Sequence, residues 1–348
     1  MSCATYLMRL GMPTTLVDRL APGDSGAASY GNAGSLSWSS CTPVAMPGLM
    51  WQVPGWLLRR DGPLTIRWRH LPALAPWLWR FVNTGSVASV EAAAQALSAL
   101  HSPSLDLHRE LAADAGVPEL VKGCDYLHVY TDRQPDRLES LDNRLRREHG
   151  ASLELLDGAA LRDLEPALSP RYVQAVRILD QGFAANPSRL VAAYARAFVQ
   201  AGGKLQQSEV TGFERKSRQV VAVKTVAGDL NASAIVIAAG PWSTRLTAML
   251  GIELPLEAER GYHVTLPDPG ISISNTIMET GDKFVATPME TGLRLAGTVE
   301  LASVDAPPDY RRADLILDKG RRMFPELAPT EVHRWMGRRP SMPDGLPV

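Results

Sequence analysis

Residues 1–26 read MSCATYLMRLGMPTTLVDRLAPGDSG. Met1 to Leu10 mixes Ala, Leu, Met, Tyr and Arg, a helix-compatible set. Gly11 stands where a helix C-cap takes the left-handed conformation. Thr14-Thr15-Leu16-Val17 is a short β-branched strand that ends in Asp18. Helix, glycine stop, strand and terminal acid make the second half of a dinucleotide-binding βαβ unit, in which the acid hydrogen-bonds the ribose of the adenosine half. A complete unit places a buried strand and a G-x-G-x-x-G turn ahead of the helix to cradle the pyrophosphate. Neither stands ahead of the helix in this sequence.

Outward from that stretch, the 348 residues allow a sizeable core and two domains, and 45% apolar with 21% charged residues is ordinary for a globular chain. A net charge of −1 gives no reason to expect nucleic acid as a partner. Cys3, Cys41 and Cys124 are far apart in sequence, which argues for a reducing, cytoplasmic compartment and against a disulfide framework or zinc site. The start carries no signal-peptide pattern, and no run approaches the ~18 apolar residues of a spanning helix. Five of the eight tryptophans lie between Trp51 and Trp79, interleaved with Arg59, Arg60, Arg67, Arg69, His70 and Arg80. Such a segment reads as a membrane-surface patch, or, as is more common, as a helical core with arginine stems around it.

Along the chain, residues 45–85 read as proline-punctuated short helices and 88–115 as one long helix. Residues 157–166 read as a short helix capped by Asp157, and 187–203 as a helix entered through Pro187 and left through Gly202-Gly203. Residues 204–214, 219–228 and 232–240 read as strands, the last apolar throughout like a buried parallel strand. Short strands from 261 to 300 suggest an antiparallel sheet. The fold class expected is α/β: an incomplete Rossmann-like cofactor domain built from 1–44, 182–245 and 325–348, interrupted by an α+β substrate domain at 45–181 and 246–324.

Seven stretches carry a resemblance in order along the chain: LVDR (16–19), ASYGNAG (28–34), NPSRLVAAYARA (186–197), VIAAGPWS (236–243), RGYHV (260–264), LAGTVE (295–300) and RRPSMPDGLPV (338–348). Together they resemble the D-amino-acid oxidase superfamily of FAD-dependent oxidoreductases, nearest to its D-amino-acid dehydrogenase branch. The resemblance implies oxidation of a D-amino acid, or a related primary or secondary amine, by hydride transfer to flavin. It implies FAD contacts at Asp18 and Arg19, at Ser29, Asn32, Ala33 and Gly34 of the glycine-rich loop, and at Val210. It places Ala239, Gly240 and Trp242 at the cofactor too, with the turn containing Gly345 and Leu346 against the flavin. Ser341-Met342 stands where sarcosine-oxidase-like relatives carry an attaching Cys, so the flavin is expected to be non-covalent.

Substrate binding is assigned by the same resemblance to Arg339, whose planar fork suits a carboxylate, with Arg338 as its surface neighbour. Tyr262 and His263 are candidates to reach the amino acid, although such a pair on a strand is often structural. No separate general base is required if the neutral amine binds and the α-hydrogen leaves as hydride. No histidine array suggests a metal. The partners implied are a small amino acid and a quinone or electron-transfer acceptor, at the inner face of a membrane if the tryptophan segment is a surface patch. The resemblance is to members longer at both ends, so this chain is expected to bind FAD weakly or not at all. The alternative is a degenerate member with no flavin, an interaction remnant. An NAD enzyme fits Asp18 but not the RGYHV and RRPSMPDG stretches.

Overall fold

The computed structural model describes residues 1–217 and 219–348. Its largest element is a ten-stranded sheet. From one edge the main path runs His333–Ser341, Glu257–Leu266, Gly292–Leu301, Phe284–Met289, Thr276–Glu279, Val121–Tyr130, Gln174–Ala184 and Ser35–Leu36. Leu64–Ile66 pairs with Gly292–Leu301, and Leu153–Asp157 with Gln174–Ala184. The pairings are antiparallel except Thr276–Glu279 on Val121–Tyr130 and Leu64–Ile66 on Gly292–Leu301. One face of the sheet buries Leu127, Val129, Tyr262, Val264 and Leu295 against Ala313, Ile316 and Met323 of the helix Arg311–Met323.

The dinucleotide-type part is smaller. The helix Ser2–Arg9 leads into the strand Thr15–Asp18, which pairs in parallel with Lys204–Gln207. The helix Pro187–Gln200 precedes that second strand and closes as its sequence suggests: the Asn186 side chain accepts from the N–H of Arg189, and Pro187 opens the first turn. Asp157 caps Gly158–Leu164 in the same way, accepting from Ala159 and Ala160.

Three expectations are corrected. The helix expected over 88–115 is two, Val87–His101 and Ser104–Asp114, because Pro103 has no N–H to continue the ladder. The strand expected at 232–240 is absent: residues 232–239 lie outside regular structure, pair with no strand among the described residues, and leave Val236 63% exposed. A parallel strand needs hydrogen-bonded neighbours, and among the described residues the parallel sheet has two members. Finally, the tryptophans between 51 and 79 do not fill a core. Trp77 is buried, but Trp51, Trp68 and Trp79 are largely exposed.

The strand His333–Ser341, grouped by sequence with the cofactor part, is hydrogen-bonded along its length to Glu257–Leu266 in the large sheet. Two glycines test this packing. At Gly292, φ is +109° and a Cβ would collide with the carbonyl of Leu266, so Gly292→Ala is expected to cost about 2 kcal/mol or more. At Gly212 a Cβ meets nothing, and Gly212→Ala should stay within ~0.5 kcal/mol. Urea unfolding of both variants measures the difference.

Candidate active site

Antiparallel pairing fixes which side chains share a face of the sheet, since directly paired residues point the same way. Arg338 pairs with Arg260, and Arg339 with Glu259. Alternation then puts Arg338, Arg260 and Tyr262 on one face and Arg339, Gly261 and His263 on the other. The two neighbouring arginines therefore act in different places. Arg339 is exposed and lies over Gly261, where any Cβ would strike its guanidinium. Its one described hydrogen bond runs from Nη2 to the carbonyl of Thr298, at 2.8 Å. Arg338, expected as the surface member, is the less exposed of the two. Its Nε donates to the carbonyl of Val304, and its guanidinium sits 5.7 Å from the Trp242 ring. Burial and the nearby charges of Arg260 and Arg19 lower its pKa.

On the face of Arg339 the glycine-rich loop, 28–34, is fastened to the sheet by its carbonyls. Arg294 Nη1 donates to those of Tyr30 and Asn32, at 3.2 and 2.9 Å. His263 Nδ1 holds that of Gly31 at 2.8 Å, and Thr287 Oγ1 that of Ala33 at 2.8 Å. The N–H of Ala184 takes that of Gly34. Five consecutive carbonyls are thus occupied. Among the described hydrogen bonds none uses the N–H of Gly31, Asn32 or Ala33, while that of Gly34 donates to Asn32 Oδ1. Gly31 is required because a Cβ there would run into the Trp335 ring. That indole stacks on His263 at 5.0 Å and donates to the carbonyl of Ser25.

These contacts correct the expected roles of Tyr262 and His263. Tyr262 faces away from Arg339. Its hydroxyl donates to Glu300 at 2.6 Å and accepts from the N–H of Asp309, and burial with the adjacent carboxylate pushes its pKa up to about 12. His263 is on the face of Arg339 but spent on the loop. Burial, with the charge of Arg294, pushes its pKa down to about 3. Sequence reading missed Arg294, Thr287 and Trp335. Arg294 stands one residue ahead of LAGTVE, and a buried arginine on an apolar strand was the available signal; burial lowers its pKa to about 10.

Of the remaining candidates, only some come together. Asp18 Oδ1 accepts from the N–H of Leu20, and the guanidinium of Arg19 lies 4.0 Å from the centre of the Trp242 ring. Trp242 follows the turn at Ala239 and Gly240, whose φ is +57°. Val210 opens the strand Val210–Lys216, paired with Thr225. Ser29 is half-buried in the loop. Gly345 closes a turn with the carbonyl of Met342, and Leu346 packs among Cys41, Val90 and Leu97. The structure thus brings Asp18, Arg19 and Trp242 together, and separately sets 29–34 on the face of Arg339. Unused N–H groups over small residues, two guanidinium groups at an indole and an acid at a strand end fit a flavin dinucleotide. They offer donors to its oxygens, close backbone approach and a ribose acceptor.

Comparison with known proteins agrees. The family model for FAD dependent oxidoreductase (DAO) matches residues 1–348. The chain is 41% identical over 353 residues to the D-amino-acid oxidase of Bradyrhizobium diazoefficiens, covering 99% of this chain and 83% of that one. It is 28% identical over 361 residues to a D-amino acid dehydrogenase of Vibrio cholerae, covering 100% of this chain and 84% of the relative. The glycine oxidase of Geobacillus kaustophilus superposes with a TM-score of 0.71 at 19% identity, over 99% of this chain and 81% of that one. The chain belongs to the FAD-dependent oxidoreductase family.

The buried His263 has a pH consequence. Below the ordinary histidine value of 6.5 the unfolded chain binds a proton that the folded chain refuses down to about 3. Its contribution to stability is therefore complete above pH 6.5 and falls as pH drops through that window. His263→Gln keeps a donor and removes the titration, while the equally shifted His128 remains. Between pH 7 and 5, urea unfolding should show the wild type losing about 2 kcal/mol more than the variant.

Proposed function

We propose that this member of the family oxidises a D-amino acid to the imino acid, with Arg339 as the carboxylate anchor. The observation that carries the reading is an exposed guanidinium held over a glycine, on the same sheet face as a loop whose N–H groups are unspent. The relative named a D-amino-acid oxidase supports the substrate class. FAD, when bound, supplies an acceptor for the α-hydrogen and its electron pair. The protein's share is orientation. A planar, bidentate guanidinium fixes both carboxylate oxygens, and with them the direction of the Cα–H bond. One Nη of Arg339 is held by the Thr298 carbonyl, which sets the plane of the fork before substrate arrives. Tyr262 and His263 take no proton in this scheme, being engaged with Glu300 and Gly31.

In the same reading Asp18, Arg19 and Trp242 serve the adenosine half of the cofactor and 29–34 the flavin half. The cofactor part then comprises 1–44 and 182–245, with the strand His333–Ser341 shared between cofactor and substrate. The electrons pass on to a quinone or an electron-transfer protein, a reading supported by the relative named a dehydrogenase.

The test compares Arg339→Lys with Arg338→Lys, with FAD in excess and cofactor reduction by D-amino acids as the readout. Losing the fork at Arg339 should lower kcat/KM about 30-fold or more, the equivalent of roughly 2 kcal/mol upward. Arg338→Lys should leave substrate dependence nearly unchanged, because that side chain faces the Val304 carbonyl and Trp242. Equal small losses at both positions would remove Arg339 from the reaction.

A further inference from the structure

The segment between residues 44 and 90 is built outside in. Its first helix, Leu49–Leu58 (LMWQVPGWLL), has no charged residue and no buried one. Its exposed positions are Met50, Trp51, Gln52, Pro54, Gly55 and Leu58, apolar but for Gln52 and set at helical spacing, with Trp51 90% and Leu58 86% exposed. The second helix, Leu71–Asn83, turns Leu74 and Trp77 inward and presents Ala75, Trp79 and Val82 outward, Trp79 at 72% exposed. Leu57 of the first helix and Leu74, Trp77 and Leu78 of the second meet in one small core with Ile66 and Leu301. Both outer faces therefore border the same unit, with the 70% exposed Trp68 between them. Nothing in the fold needs tryptophan on these faces, since the core beneath is already closed.

The charge of the segment itself is mainly of one sign, and the carboxylates beside it, Asp61, Asp282, Glu257 and Glu300, pair with Arg59, His70 and Arg67. Residues 44–90 hold five arginines against a single acid, Asp61. Arg59 and Arg67 are drawn into ion pairs with Asp61 and Glu300. Arg60, Arg69 and Arg80 are exposed, with no ion-pair partner among the described residues. A whole chain of net charge −1 thus carries a cationic, aromatic surface in one place. Indole rings partition into the interface between headgroups and acyl chains, and arginine pairs with anionic headgroup phosphates. A protein partner would leave the lone arginines unmatched unless it brought its own acids. A bilayer with anionic lipid supplies an apolar layer and a negative layer at the depths that tryptophan and arginine ask for.

We propose that the outer faces of Leu49–Leu58 and Leu71–Asn83 dock this protein on the surface of an anionic membrane. The helices would lie in the interfacial plane; among the described residues no helix is long and apolar enough to cross. The proposal rests on the acceptor half of the functional reading only for its purpose, and its test involves no turnover, so the two can fail separately.

The experiment is co-sedimentation of the FAD-supplemented protein with vesicles of phosphatidylcholine alone or mixed with phosphatidylglycerol, followed by tryptophan emission. The wild type should pellet with the mixed vesicles, less so as salt is raised, with a blue shift on binding. Trp51→Ser combined with Trp79→Ser should bind roughly tenfold more weakly and lose most of the shift. Arg60→Glu combined with Arg69→Glu should lose the preference for anionic vesicles, again roughly tenfold. All four positions are exposed, and circular dichroism checks that each variant keeps the wild-type fold. Failure of the wild type to bind either vesicle overturns the proposal, as does wild-type binding by both variants. A dimer in sedimentation velocity that the tryptophan substitutions dissociate, without vesicle binding, would assign the surface to a second copy of the chain instead.

Discussion

A buried arginine with no carboxylate partner among the described residues underlies the organisation of the site. Arg294 is 5% exposed, and its donors go to Tyr30, Asn32 and Thr265. A buried cation must be met by acceptors, and here backbone carbonyls of the glycine-rich loop meet it. His263 and Thr287 complete the row, so that the loop is defined by where its oxygens are tied. The rest follows from that constraint. Carbonyls turned to the sheet leave the intervening N–H groups for a ligand, and small residues keep the backbone low over Trp335 and Met289. A flavoprotein of this family needs such a surface, with donors and without bulk.

The opposite face of the same strand carries a different device. Glu300, buried, takes Arg67 and the hydroxyl of Tyr262, and lies 3.3 Å from the fully buried Arg260. Among the described residues the Arg260 guanidinium has no hydrogen-bond partner, so Glu300 is its principal compensation. This knot ties Leu64–Ile66 and its following turn, Glu257–Leu266 and Gly292–Leu301 to one another, and so sets the register in which Arg339 arrives over Gly261. A slip of one residue in the pairing of His333–Ser341 would exchange Arg338 and Arg339 between faces. The position of Arg339 and the knot are thus two consequences of one register.

Much of this was legible in the sequence where the determinants are local. The caps at Asn186 and Asp157, the Pro187 entry and the helix–glycine–strand–acid run ending at Asp18 involve neighbours within a few residues. Arg339 was singled out by the resemblance of RRPSMPDGLPV, yet which of the two arginines is exposed depends on pairing with a strand distant in sequence, Glu257–Leu266. Tyr262 and His263 were misplaced for the same reason. Adjacent strand residues serve opposite faces, and a register shift between Arg260 and Tyr262 in the pairing with Gly292–Leu301 hides the parity further. The apolar run at 232–240 looked like a buried strand because composition reports apolarity and not the presence of a hydrogen-bonded neighbour. The tryptophan segment misled in the converse way: its composition suits a core or an interface equally, and only exposure separates them.

In the proposed function Arg339, on the loop's face of the sheet, positions a carboxylate beside the flavin. The most direct test titrates the FAD-loaded protein with benzoate, a carboxylate that has no α-hydrogen to lose, and follows the visible absorbance of the flavin. A saturable perturbation is expected in the wild type, lost in Arg339→Lys and retained in Arg338→Lys. A perturbation of equal affinity in the wild type and in Arg339→Lys would contradict it.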